Sequence, residues 1–233
     1  MTSVSTRSSG GVAALIAFLL CGVSHAQQDS VPRMPDGKPD LSGIWRSASN
    51  RYLTDLSAGG AQLSMQPWAR ALYDERSAAH GKGRPSERCL PRGVPGMMLA
   101  RDEPWKVVQT PGVIVILFHD SLHYRQIFTD GRPFPDDAAP TWIGYSVGRW
   151  DRDDLVVETI GLTEETWLDE VGHPHSDALR VTERFRRRTV RMMDVDVTID
   201  DPKAYARPWT VTVRFELVPS ADLGEQRCAV LPR

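Results

Sequence analysis

Two histidines, a glutamate and an arginine carry most of the chemistry this sequence can offer. His173 and His175 flank Pro174, so on extended backbone both rings can face the same way. Glu183 follows in "ALRVTERF", where Leu179, Val181 and Phe185 form the apolar face of a strand. Period two places Glu183 on that same inward face. A buried carboxylate is costly unless it is paired or hydrogen-bonded. It is therefore either an ion pair, with Arg125 or Arg149, or a general acid/base or anchor for a ligand's polar end. Arg125 lies in "SLHYRQIF" and shares a face with His123 and Ile127. Turned inward, it is the partner of Glu183 or a clamp for an anion; turned outward, it is a solvated cation.

The histidines admit three roles. Metal binding needs a third ligand from His119, His123, Asp169 or Glu170, because no histidine follows His175. Proton transfer or hydrogen bonding needs only one ring. A plain structural loop needs neither. The expectation is no metal and no cofactor. Trp142, Tyr145 and Trp150 are large enough to wall a ligand pocket, or simply to fill a core. No phosphate-cradling glycine loop is present.

The elements that must position these groups are mostly strands. Trp105–Gln109, Val113–His119, Ser121–Phe128, Gly144–Trp150, Leu155–Ile160, Ala178–Arg187, Val190–Ile199 and Trp209–Val218 read as short strands with tight turns. Val113–His119 is an unbroken apolar run, which predicts burial on both faces. Gln66–His80 reads as the one helix, with Trp68, Ala71 and Leu72 near helical spacing and Gly81 ending it. The pattern predicts a mainly β, antiparallel barrel or curved sheet with one inserted helix. A barrel of about eight strands can hold one small ligand.

The ends bound the compartment. Arg7, the apolar run Val12–Val23 and Ser24-His25-Ala26 read as a signal peptide spanning 1–26. That run is shorter than the roughly 20 residues that cross a bilayer, so no membrane span is expected after cleavage. Residues 27–39 form a polar, proline-containing arm, and 40–233 form one domain. Secretion places the chain in the periplasm or outside the cell. Losing Arg7 takes the net charge from −2 to −3. With no basic block, nucleic acid is not an expected partner. Arg184, Arg186, Arg187 and Arg188 read as the solvated face of a strand. Cys89 and Cys228 are the cysteines of the mature chain, and in an oxidising compartment they would either pair or stay as buried thiols.

Several motifs carry resemblances. "PDLSGIW", "CLPRGVPG", "DGRPFP", "PTWIGYSVGRW", "LVVETIG", "HSDALRVTERF" and "DDPKAYARPW" resemble those of a large family of secreted bacterial proteins, mostly uncharacterised. That resemblance implies secretion and no particular activity. Gly43-x-Trp45 at the opening of a β-rich domain is similar to the lipocalin signature. It implies an up-and-down, calycin-like barrel whose tryptophan packs at the closed end under a late-strand arginine, for which Arg214 is the candidate. The insertion at 66–96 departs from that pattern. The His173-x-His175 pair with Glu183 is similar to the cupin metal motif, but the gap to Glu183 is too long and the later histidine is missing.

The functional expectation is a small, partly apolar ligand in a barrel pocket. Trp142, Tyr145 and Trp150 would wall it, and Arg125, His173, His175 and Glu183 would supply its polar groups. An enzyme using that pocket for acid/base chemistry is the alternative. An envelope interaction protein without a small ligand is the third, and a barrel interior filled with side chains favours it.

Overall fold

Strict alternation of apolar and polar residues closes the sheet on itself. In β9 (Trp209–Leu217) Trp209, Val211, Val213 and Phe215 are buried, while Thr210, Thr212 and Arg214 face water. The same period runs through β7 (Arg180–Arg187) and β8 (Met192–Asp200). A computed structural model describes residues 1–2, 30–119, 123–219 and 221–224. The expected signal peptide and Cys228 lie outside the described residues.

Nine strands form one closed barrel in chain order. They are β1 (Gly43–Ser47), β2 (Trp105–Thr110), β3 (Val113–Phe118), β4 (Tyr124–Phe128), β5 (Tyr145–Asp151), β6 (Asp154–Ile160) and β7 to β9. β1 closes the ring by pairing antiparallel with β9, Trp45 opposite Leu217. The mainly β, lipocalin-like barrel expected from the pattern is therefore the fold, with one more strand than the roughly eight anticipated.

One pairing departs from the antiparallel expectation. β4 and β5 run parallel, with Ile127 opposite Ser146. A parallel neighbour requires the chain to travel back along the barrel. Residues 129–144, carrying Pro133, Pro135 and Pro140, make that return without a strand.

The barrel has two unlike ends. At one end lie the start of β1, the β2–β3, β5–β6 and β7–β8 turns, and the N-terminal arm. Arg33 of the arm holds Asp153 through two hydrogen bonds of 2.9 and 2.6 Å, and the Leu41 N–H donates to Gln109 at 2.7 Å. The helical insertion and the 161–179 loop lie at the other end. The insertion comprises α1 (Arg51–Thr54), α2 (Pro67–Ala78) and several 3₁₀ turns. α2 begins on Pro67, whose fixed φ suits the first helical position. It docks through Ala69. Trp68, expected on its packing stripe, is exposed and spends its indole N–H on Lys203 O at 2.8 Å.

The lumen is a packed core. Trp45, Trp105, Met193, Val195, Val213 and Phe215 are all buried within it, with Trp105 and Phe215 in edge contact at 5.2 Å. The Trp45 indole donates to Leu41 O at 2.9 Å, and a guanidinium lies 5.2 Å above its ring. That guanidinium belongs to Arg187, not to Arg214, which instead pairs on the outer surface with Asp194 at 2.9 Å. β3 also differs from its expected burial on both faces. Ile114, Ile116 and Phe118 point inward, but Leu117 reaches the surface beside Val108 and Tyr124. The wall is one sheet thick there, and the described chain does not fully cover its outer face.

Candidate functional site

Arg125 and Glu183 meet inside the barrel. Arg125 is 1 % exposed and Glu183 0 %. Arg125 Nη1 donates to Glu183 Oε1 at 3.2 Å, and Nη2 to Oε2. The remaining guanidinium edge is also taken: Nε donates to Ser146 Oγ at 3.0 Å and Nη2 to Thr159 Oγ1 at 2.7 Å. Ser146 and Thr159 bond to each other at 2.9 Å. The inward faces of β4, β5, β6 and β7 each contribute one residue. Every guanidinium nitrogen and both carboxylate oxygens have a partner within this group, which makes it a closed ion pair with no group turned toward a ligand.

The histidines sit elsewhere, in the 161–179 loop over the helical end. This loop is tied down along its length. The Glu170 and Val171 N–H groups donate to Leu53 and Thr54 carbonyls at 2.9 and 3.0 Å. Ser176 gives both its N–H and its hydroxyl to Asp201, at 2.6 and 2.7 Å. The Tyr205 hydroxyl donates to Pro174 O at 2.8 Å, and burial pushes its pKa well up, so it stays protonated. Arg76 of α2 stacks on Trp167 at 4.2 Å; burial pulls its pKa down to about 10, which leaves it charged at neutral pH. Gly172 adopts φ 106°, and a Cβ there would come within 2.4 Å of Arg76 Cβ. Only glycine lets the loop approach α2 this closely.

Within this frame His173 forms a buried pair with Asp169, four residues earlier. His173 Nδ1 bonds to Asp169 Oδ2. Leu56 N–H donates to the same oxygen at 2.8 Å. Gly172 and His173 N–H groups donate to Oδ1 at 3.0 Å each. Three backbone donors thus aim the carboxylate, and the carboxylate aims the ring. Tyr73 of α2 stacks on the imidazole with centroids 4.4 Å apart, and Trp209 lies 6.3 Å away on β9.

His175 is a different case. Its Nδ1–H donates to Ser176 O at 3.0 Å, and its Nε2 meets Thr166 Oγ1 at 2.7 Å. Burial pulls its pKa down and keeps the ring neutral. Both nitrogens are spent on holding the loop.

Asp55, Asp169 and His173 bring one ligand atom each within 4.8 Å of one another. Both Asp169 oxygens and His173 Nδ1 are already hydrogen-bonded, so an ion there would displace those bonds. Asp55 itself caps a 3₁₀ turn, accepting from Ser57 N–H at 2.8 Å.

The three aromatic candidates do not share a pocket. Tyr145 faces outward and packs on Phe128 at 5.2 Å. Trp142 packs against the core from the loop before β5. Trp150 sits on the rim at the arm end, with Lys38 5.9 Å over its ring. There it walls a cleft of about 350 Å³, together with Met34 and Pro35 of the arm, Gln109, Ile114 and Thr129.

Asp55, Tyr73, Asp201 and Trp209 escaped reading from sequence, since each comes from a separate element. Asp169 was within reach as a possible metal ligand. Its spacing from His173 was the signal for the pair actually formed. Comparison with known proteins returns no match, whether to family models, curated proteins or solved structures.

Proposed function

We propose that this protein is a secreted or periplasmic β-barrel that binds a small, partly apolar molecule in the cleft under its N-terminal arm. One observation carries the reading: the 350 Å³ cleft between arm and rim is lined by Met34, Pro35, Ile114 and Trp150, with Gln109 and Thr129 as polar groups. Its size and mixed lining fall within the range of small-molecule sites. The lumen is filled with side chains, so room for a ligand lies outside it, and the cleft under the arm is one such place. The signal-like segment at 1–26 and the resemblance to secreted bacterial proteins support the compartment. In that compartment Cys89 and Cys228 pair, tying the C-terminal tail to the insertion.

The cleft holds no His173, Glu183 or Arg125, which favours binding without turnover there. Native mass spectrometry of protein secreted to the periplasm, against its denatured mass, tests the reading. A small molecule that leaves on denaturation, and that Trp150→Ala no longer retains, is expected. A clean apo mass, with no quenching of tryptophan fluorescence by 1-anilinonaphthalene-8-sulfonate, sinks it. That result would turn attention to an interaction role, which the exposed Val108, Leu117 and Tyr124 on the outer wall favour.

A further inference from the structure

At the arm end of the barrel, we propose that residues 32–40 form a flap, hinged between Asp40 and Leu41 and latched by Arg33 on Asp153, whose opening admits ligand to the rim cleft. What passes the flap rests on the binding reading of that cleft; the motion itself does not.

The arm is bonded to itself. Gly37 N–H donates to Met34 O at 2.9 Å, closing a turn with Pro35 at its second position and Gly37 at φ 81°. Met34 N–H donates to Lys38 O and Asp40 N–H to Pro32 O, each at 2.8 Å, so the two legs of the loop hold each other. Arg33 Nη1 donates to Gly37 O at 2.8 Å, and Lys38 N–H donates to Asp36 Oδ1 at 3.0 Å. A loop that satisfies its own backbone in this way can move as one body.

Its attachments to the barrel are unequal. At the base Leu41 is buried, its N–H donates to Gln109 Oε1 at 2.7 Å, and Arg187 donates to Asp40 O. Beyond the base, Arg33 bonds to Asp153, and the Lys38 ammonium lies 3.5 Å from Arg152 O and 5.9 Å over the Trp150 ring. The Arg33 and Asp153 side chains are 47 % and 60 % exposed. An ion pair this exposed contributes little and is screened by salt. Among the described residues, the chain joins the arm to the barrel only through Asp40 and Leu41. A buried base and an exposed latch are the layout of a hinged flap.

The cleft lies across that division. Met34, Pro35 and Asp36 line it from the arm, and Gln109, Ile114 and Thr129 line it from the barrel. Swinging the arm away from Asp153 therefore parts the two walls, and swinging it back encloses what lies between them. Lys38 leaves the Trp150 ring in the same movement, which makes that indole a reporter of the flap.

The test is ¹⁹F NMR of the intact mature protein labelled with 5-fluorotryptophan, the Trp150 resonance being assigned by its loss in Trp150→Phe. That resonance should shift as NaCl rises from about 20 to about 500 mM, while those of Trp45 and Trp105 in the lumen stay in place. At low salt the double variant Arg33→Gln/Asp153→Asn, which keeps the net charge, should already show the high-salt position. Its Met34, Gly37 and Asp40 amides should exchange as slowly as in the wild type. A Trp150 resonance indifferent to salt and to the variant overturns the flap. Faster exchange at those three amides also overturns it, since the arm would then melt instead of swinging. Gating is read by stopped-flow quenching of tryptophan fluorescence with 1-anilinonaphthalene-8-sulfonate. Association should be up to about fivefold faster in the double variant, and dissociation faster too. Equal association rates in the two proteins overturn the gating role. No quenching in either protein, with Trp150 still responding to salt, supports the flap and sinks the binding reading of the cleft.

Discussion

Among the described residues, two buried pairs join a carboxylate to a basic side chain, and they are built to opposite ends. Arg125–Glu183 lies within the barrel wall, and every nitrogen and oxygen in it is used by Glu183, Arg125, Ser146 or Thr159. Asp169–His173 lies in a loop outside the wall, and its carboxylate is saturated while one ring nitrogen is not. Both are buried, and both join residue types that do chemistry elsewhere. Burial and residue type alone therefore do not tell the two pairs apart; the unspent ring nitrogen does. The strand pair converts a costly charge into a cross-wall tie. The loop pair holds one ring in a fixed pose and leaves an atom available.

The largest effect that separates the two is in stability. Removing one partner of the wall pair, as in Arg125→Met or Glu183→Gln, leaves the other buried without its complement. A loss of about 3–5 kcal/mol is expected in urea denaturation. The double variant Arg125→Met/Glu183→Leu should recover most of it, because an apolar pair suits the lumen. Single variants within 1 kcal/mol of wild type would show that the pair is not closed as described.

Gly172→Ala comes next. It puts a side chain at φ 106° and against Arg76, so a cost of about 1–3 kcal/mol is expected. The damage should be local: amide exchange should quicken in the 161–179 loop while β6–β9 stay protected. Global loosening would mean that the loop and barrel are one cooperative unit.

Asp169→Asn should cost a similar or smaller amount, about 1–3 kcal/mol, through weakened bonds to Leu56, Gly172 and His173. Its sharper readout is NMR. The His173 Nδ1–H resonance should be strongly downfield in the wild type and should move upfield in the variant.

A pH dependence follows from His175. Burial lowers its folded pKa below the unfolded value of about 6.5, so the unfolded state binds the extra proton first. Its contribution is fully present above about 6.5 and is lost as the pH falls below that. The slope from this one group reaches at most about 1.4 kcal/mol per pH unit. Comparing urea midpoints at pH 7 and pH 5 in the wild type and His175→Gln isolates it; equal pH dependence in both would remove His175 as the cause.

The smallest expected effect is at the arm. Arg33 and Asp153 are exposed, and the surface pair they form adds little to folding. Arg33→Ala should leave the unfolding midpoint unchanged. It should speed amide exchange around Lys38 and Leu41, and it should weaken ligand retention in the rim cleft. A shifted midpoint with an unchanged arm would reverse the assignment.

Much of the barrel was legible because alternation is a local property. Each strand of β5 to β9 declares its inner face through residues two apart, and Glu183 was placed inward on that ground alone. The return segment between β4 and β5 was not legible, because pairing direction depends on where a chain goes after it leaves a strand. The arginine over Trp45 was misassigned because it was taken from the lipocalin resemblance. Arg187 shares the inward parity of Val181, Glu183 and Phe185, whereas Arg214 shares the outward parity of Thr210 and Thr212, so alternation within each strand already favoured Arg187. The candidate site was half legible. His173 and Asp169 are four residues apart in one loop, whereas Tyr73 and Trp209 come from a helix and a strand far along the chain.

By itself, then, the chain determined its strands, their inward faces, the need of Glu183 for a partner and the signal-like start, since each is written in neighbouring residues. Tertiary structure alone decided that the partner is Arg125, that the lumen is full and that the open cleft lies at the rim. It also decided that His173, rather than His175, keeps a nitrogen unspent. Those outcomes depend on which distant side chains barrel closure brings within hydrogen-bonding reach, and no local pattern encodes that distance.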